Sequence, residues 1–432
     1  MTGPVIDLGV LRQETDPEPP PRRPGRLRRP RADGRPLRCA LALLFVLVTL
    51  AAAAAPPPRR TPVTLPVPAG ADVLVDGDLL LSVESTGAVP MQRRLSAYRL
   101  PEGAPIWQAS LPSEARYFGL VLLGDMVLAT GYEVGPQGRG AVSIALDRAT
   151  GAYRWQQPGR GTALTDGSLL LQSGGEGEPV SIRAVDPCCG TVRWQLPPTA
   201  DVEIQHAGRE PDRVVLSRRT GPTEVREATT GRVLARADLR PSGGGPLGYV
   251  QVQGDQLLTI GGEPTVVTAY GLDRLDRRWS ASVGRVEFAM DCGPVLCLRT
   301  GADELLAVDP ATGATRWRSD RWRWGWPYQG RLMVSTSGGG TAERYLVLDA
   351  LTGRQVADLG RWELYQIDAG GRLLGVRQRP DGGVVVGELD VGAARVRVRD
   401  VLPRAAGACQ GISGNLLCAG PDGSYQLWRL RD

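Results

Sequence analysis

Leu305-Leu-Ala-Val-Asp-Pro-Ala-Thr-Gly-Ala-Thr-Arg-Trp317 is the stretch that decides the fold. An apolar strand ends at Asp309, a Thr-Gly turn follows, and a second strand carries a Trp eight residues past the Asp. The Asp can bond back to nearby backbone N–H groups. The Gly supplies the positive φ that a tight turn demands. The Trp is large enough to fill the gap between one small sheet and the next.

The same unit recurs from residue 71 onward, and self-similarity at a fixed period marks a repeat architecture. Ile144-Ala-Leu-Asp-Arg-Ala-Thr-Gly-Ala-Tyr-Arg-Trp155 is one clear copy. Ile182-Arg-Ala-Val-Asp-Pro-Cys-Cys-Gly-Thr-Val-Arg-Trp194 is another. Degenerate copies end at Trp107 and Trp279, so Trp107, Trp155, Trp194, Trp279 and Trp317 are the structural Trp residues of the repeat. Two further copies keep the turn at Thr230-Gly231 and Thr352-Gly353 but lack the Trp, and a weaker one lies around Asp390–Val398. Closing positions fall roughly 38–48 residues apart, the length of one four-stranded blade. Period-two alternation, as in Tyr345-Leu-Val-Leu-Asp349, makes the segments strands.

The expected fold is all-β, a closed β-propeller of four-stranded blades spanning residues 71–432. Radial repetition leaves few unpaired strand edges. Nine strand-pair phases are present against eight closing strands. The last unit, residues 414–430, has none, and residues 61–68 of the 56–70 linker are placed to supply it. Eight blades is the commoner form for this repeat and nine is the count, so both numbers stay open.

Composition limits the chemistry. All 51 basic residues are Arg, and the chain holds one Asn, Asn415, and one His, His206. A His-based triad or multi-His metal site has almost nothing to build from. No catalytic, cofactor or metal residue is assigned. His206, at a first-strand position, reads as a surface or turn residue. Residues 1–38 hold nine Arg against five acids, while the repeat region is near neutral, which argues against nucleic acid as a partner.

Cys39–Ala55 is a run of 17 uncharged residues, short but adequate for a membrane-crossing helix. Eight Arg and one Asp between Arg22 and Arg38 put the N-terminus in the cytoplasm and the propeller outside. Ala51–Ala55 offers signal-cleavage sites. The long leader, and Cys39 at the start of the run, favour an uncleaved signal anchor. The expected location is therefore the cytoplasmic membrane, single-pass. Residues 1–38 are rich in Pro and Arg without apolar periodicity and are expected to be disordered. They read as a solvated leader touching anionic lipid, with a polyproline ligand as the alternative.

The remaining Cys residues form near pairs. Cys292 with Cys297, and Cys409 with Cys418, flank turns before Leu-rich strands, and an extracytoplasmic setting permits disulfides there. Cys188-Cys189 sits inside the Asp186–Gly190 turn as a disulfide or two thiols. The run Arg321-Trp-Arg-Trp-Gly-Trp-Pro-Tyr328 lies where a unit places its first strand, nearest the channel. Alternation puts Trp322, Trp324 and Trp326 on one face and Arg321 and Arg323 on the other. Such a row suits recognition of a peptide, glycan or polar ligand. Inter-blade packing is the plainer reading of the same Trp residues.

The motif Ala-x-Asp-x-x-Thr-Gly-x-x-x-Trp resembles the tryptophan-docking repeat of quinoprotein dehydrogenases. It is also similar to non-catalytic propellers of that repeat, including the lipoprotein of the outer-membrane barrel assembly machinery and sensor domains of receptor kinases. The resemblance covers roughly residues 71–432. Its enzyme branch implies pyrroloquinoline quinone, Ca²⁺ and a catalytic Asp, and some of its members stack the quinone on a vicinal disulfide. No dense cluster of oxygen ligands is visible here. The adopted expectation is a non-catalytic, membrane-anchored binding or scaffolding module for a protein or envelope ligand, without a cofactor. A quinone-dependent dehydrogenase is the alternative, and a sensor signalling through a cytoplasmic partner is a further one.

Overall fold

Short strands, each bounded by a turn that its own sequence specifies, account for nearly all the ordered structure. The computed structural model describes Leu44 and, with short gaps, residues 62–430. The expected tail at 1–38 lies outside the described residues, as does the 39–55 helix apart from Leu44, which is helical and exposed. Among the described residues no helix is long and apolar enough to cross a membrane. Residues 60–432 form one compact unit.

Within this unit the strands make seven four-stranded antiparallel sheets and one of seven strands. In the seven-stranded sheet, Gln355–Tyr365 pairs first with Glu343–Leu348 and then, at its end, with Leu374–Gln378. It thus serves as fourth strand of one set and first strand of the next. The described strands therefore form nine four-stranded units. In order they cover residues 72–111, 115–158, 160–195, 201–237, 249–282, 286–319, 324–362, 363–402 and 409–429. The ninth takes its fourth strand from the other end of the chain, where Val63–Pro68 pairs with Ser424–Arg429. The first strands of units 1 and 2, and of units 4 to 7, lie against each other in succession, and these are called the inner strands.

The core lies between sheets. Leu95, Trp107 and Ile144 belong to the cluster joining units 1 and 2, and Leu346, Cys297 and Trp322 to that joining units 6 and 7. Leu417, Tyr425 and Leu427 of unit 9 pack with Leu80 and Tyr98 of unit 1, with Leu65 and Val67 between them. Each cluster buries the apolar faces of two neighbouring sheets, the stacking by which such repeats acquire a core.

The turn chemistry is local. Asp147 accepts from the backbone N–H groups of Ala149 and Thr150 at 3.0 and 2.9 Å and from the Thr150 hydroxyl at 2.8 Å. Asp309 and Asp349 repeat the pattern. Gly151 follows at φ 71° and donates its N–H to the Asp147 carbonyl at 2.8 Å.

Onto each such turn docks the Trp of the preceding unit. The indole N–H of Trp107 reaches the Arg148 carbonyl at 2.9 Å, and Trp155 the Pro187 carbonyl at 2.8 Å. Trp194 reaches Thr229 at 2.9 Å, while Trp279 and Trp317 reach Pro310 and Ala350 at 2.8 Å. The rings lie flat on the turn glycines. A Cβ on Gly353 would stand 2.7 Å from the Trp317 ring, and one on Gly231 would stand 2.8 Å from that of Trp194. Positive φ and ring contact together leave no room for another residue.

Candidate functional site on the inner strands

The inner strands carry the side chains best placed to meet a ligand. Val286–Asp291 opens unit 6 and Trp324–Tyr328 opens unit 7. Phe288 and Trp324 stack between these strands, with centroids 5.0 Å apart and planes at 28°. The Arg299 guanidinium lies 5.8 Å from the Phe288 centroid and 5.9 Å from that of Trp324. Glu287 pairs with Arg299 at 3.1 Å, fixing its head. Trp324 remains 49% exposed, a large aromatic held in place and open to solvent. Aromatic and guanidinium groups arranged this way attract planar groups and sugar faces.

The expected row of Trp322, Trp324 and Trp326 is corrected by the geometry. Trp322 precedes the strand, is 3% exposed and belongs to the core between units 6 and 7, with the Arg321 guanidinium 4.6 Å from its ring centroid. Trp326 packs against the core between units 7 and 8, edge-on to Tyr345 at 5.9 Å. Alternation holds only within a strand, and the chain bends before Trp324. Arg323 lies outside the described residues. Phe288 and Arg299 escaped the sequence reading because they come from a different unit; one signal was that the chain holds only three Phe.

Farther round the inner side, Glu203 in Asp201–Ala207 accepts the Val252 backbone N–H at 3.4 Å. Burial raises its carboxyl above the ordinary value, and the Asp201 charge adds to this. Tyr249 is raised by burial and by the same two acids. Gln251 bridges to unit 6 in both directions, donating to the Ala289 carbonyl at 2.6 Å and accepting its N–H at 2.8 Å. His206 lies in the same strand at a register shift and is exposed.

Three disulfides are present. Cys409–Cys418 ties the first strand of unit 9 to its second, and Cys292–Cys297 ties the turn after the first strand of unit 6 to its second strand. Cys188–Cys189 occupies the exposed turn between the third and fourth strands of unit 3, away from the inner strands. The adjoining Gly190 lies against the Trp155 ring, and Asp186 is paired with Arg193 at 2.5 Å. Calcium needs six to eight oxygen ligands. The donor set at this disulfide does not fit a quinone–calcium site, and among the described residues no group of three or more His, Cys, Asp or Glu is placed to hold a metal.

Residues 91–220 match the family model described as outer membrane protein assembly factor BamB. No curated protein sequence matches the chain. A eukaryotic initiation factor is similar in fold, at 12% identity over 81% of this chain and 90% of that one, with a TM-score of 0.51. BamB from Moraxella catarrhalis aligns at 14% identity over 86% and 97% of the two chains, with a TM-score of 0.38. A europium-containing methanol dehydrogenase aligns at 13% over 85% and 84%, with a TM-score of 0.40. The family match covers residues 91–220, and Trp–Gly docking joints of the same kind recur beyond it at Trp279–Gly313 and Trp317–Gly353, a repeat of β-propeller type.

Proposed function

We propose that the chain is a non-catalytic binding module: a closed nine-bladed propeller held on the outer face of the cytoplasmic membrane that recognises a protein or envelope ligand on its inner-strand side. Supporting closure are the Val63–Pro68 strand in the last sheet and the packing of unit 9 on unit 1. Supporting the location are the uncharged run Cys39–Ala55 and the Arg-rich leader before it.

The observation that carries recognition is the exposed Trp324, held by Phe288 and Arg299. A pre-positioned aromatic loses little side-chain freedom on binding, which is how hot-spot residues contribute disproportionately. The experiment is photo-crosslinking in membranes, with a photoreactive residue at position 324 of the full chain. A discrete crosslinked product is expected there, and not from Tyr153, which is 63% exposed on an outer strand. Equal labelling from both positions would remove the case for this site. Titration with pyrroloquinoline quinone and Ca²⁺ tests the other half: saturable binding with dye-linked alcohol oxidation would overturn the non-catalytic reading.

A further inference from the structure

Two equivalent grooves between neighbouring units differ in one residue. Gly284 follows Trp279 by five positions, as Trp322 follows Trp317 by five. In the groove between units 6 and 7, Trp322 is buried and leaves a cavity of about 170 Å³. There Arg344 and Asp358 form an ion pair beside it. Between units 5 and 6 the position is Gly284, and the cavity is about 500 Å³. That is the size of small-ligand sites.

Two charged side chains of the open groove lack partners among the described residues. Arg285 and Arg318 both face it, and neither is tied by an ion pair or side-chain hydrogen bond to a described residue. Arg318 pairs in register with Leu306, as Asp358 does with Leu346, so the acid of the neighbouring groove is replaced here by a base. Thr300 also lines the cavity, only 6% exposed, and its hydroxyl is buried with no hydrogen-bond partner among the described residues. Glu304 also lines the groove, leaving one net positive charge among these ionisable side chains.

We propose that the groove between units 5 and 6 binds a small ligand through a singly charged carboxylate or phosphate group that also carries a hydrogen-bond donor. Arg285 and Arg318 take the anion, and Glu304 accepts the donor. Guanidinium forks suit either oxyanion. The site is independent of the Trp324 platform and stands if that surface binds nothing.

The test uses the full chain in detergent, titrated with inorganic phosphate and separately with sodium lactate, against sodium chloride of matched ionic strength. Melting temperature is followed in both titrations, and phosphorus NMR linewidth in the first. A saturable rise in melting temperature is expected for the unaltered chain, since a ligand binding only the folded state stabilises it. Gly284→Trp should abolish the rise by plugging the groove as Trp322 plugs its neighbour; nothing lies within 4 Å of the position a Cβ would take at Gly284. Arg285→Gln and Arg318→Gln should each raise half-saturation about tenfold, the scale of a lost charge-assisted hydrogen bond. An equal rise in Gly284→Trp would overturn the site as a general salt effect, as would no rise with either probe. Were Gly284→Trp unfolded, the Arg variants decide: unchanged half-saturation in both overturns it.

Discussion

The joint between units 5 and 6 and the joint between units 4 and 5 solve one packing problem in opposite ways. In the first, Trp279 lies on Gly313, whose φ is 71°. In the second, Ala235 takes the Trp place, paired with Val225 as Trp279 is paired with Ala269. The turn residue facing Ala235 is Leu275, which adopts φ 57° and donates its N–H to Gly271, the bond that Gly313 makes to Asp309. Leu275 is 5% exposed and packs with Leu272 in the core of that joint. The bulk has moved across the interface, from the strand to the turn. The joint between units 7 and 8 resembles the second type, with Ala357 on the strand and Ala394 at φ 53° in the turn. Glycine is thus required in these turns where a ring covers the turn, and φ alone does not impose it.

The largest effect should follow from removing a ring. Trp279→Ala is expected to cost about 3–5 kcal/mol in denaturant unfolding, the range for large aromatic truncations in a core. A cost below about 1 kcal/mol would mean that the indole is not the filler of its joint. Next comes Gly313→Ala, which sets a Cβ into the Trp279 ring at positive φ. About 2–4 kcal/mol is expected from overpacking and backbone strain combined. In a Trp279→Ala background the same change should cost only the strain, about 1 kcal/mol. Additivity of the two single costs would break the proposed coupling.

Leu275→Gly should destabilise by about 2 kcal/mol, because lost burial outweighs relief of the left-handed backbone. Stabilisation by that change would refute the exchange of bulk across the joint. By contrast, Ala394→Gly should stabilise by about 1 kcal/mol, since its methyl contributes little to packing.

The smallest effect concerns acid. Arg154, then Thr150, hold the Asp147 carboxyl down at about 2, and Arg316 holds Asp309 below its usual value. A depressed folded value gives stability that is present above the unfolded value and lost as pH falls through the folded one. Lowering pH from about 4 toward 2 should reduce the protection of the Gly151 and Gly313 amides, their exchange being compared with the intrinsic rate at each pH. Leu275, whose turn has Gly271 in place of the Asp, should respond less; equal responses at all three amides would sever the link between turn carboxylates and joint stability.

The five docking Trp residues and their turns are legible because each is specified within a dozen residues of chain. Turn type, strand alternation and the spacing of Asp, Gly and Trp are local properties. The inner-strand site was half legible: Trp324 stands out, yet its stacking partner Phe288 and its guanidinium Arg299 come from the preceding unit. Trp322 was misplaced because strict alternation was extended beyond the start of the strand. Leu275 and Ala394 gave no sequence signal, since a non-Gly residue at positive φ becomes intelligible only when the facing residue is known.

From sequence alone came the repeat, its β character, the docking role of Trp and the Cys pairs near turns, all consequences of short-range backbone and side-chain chemistry. The sequence also pointed to residues 61–68 for the missing strand, and Val63–Pro68 joins the last sheet. Only the tertiary structure decided that Trp322 plugs one groove while Gly284 leaves the next open, and that the Thr300 hydroxyl lies buried without a partner among the described residues. Those outcomes depend on which faces of separate units meet, and contacts between units distant in sequence are set by packing rather than by local pattern.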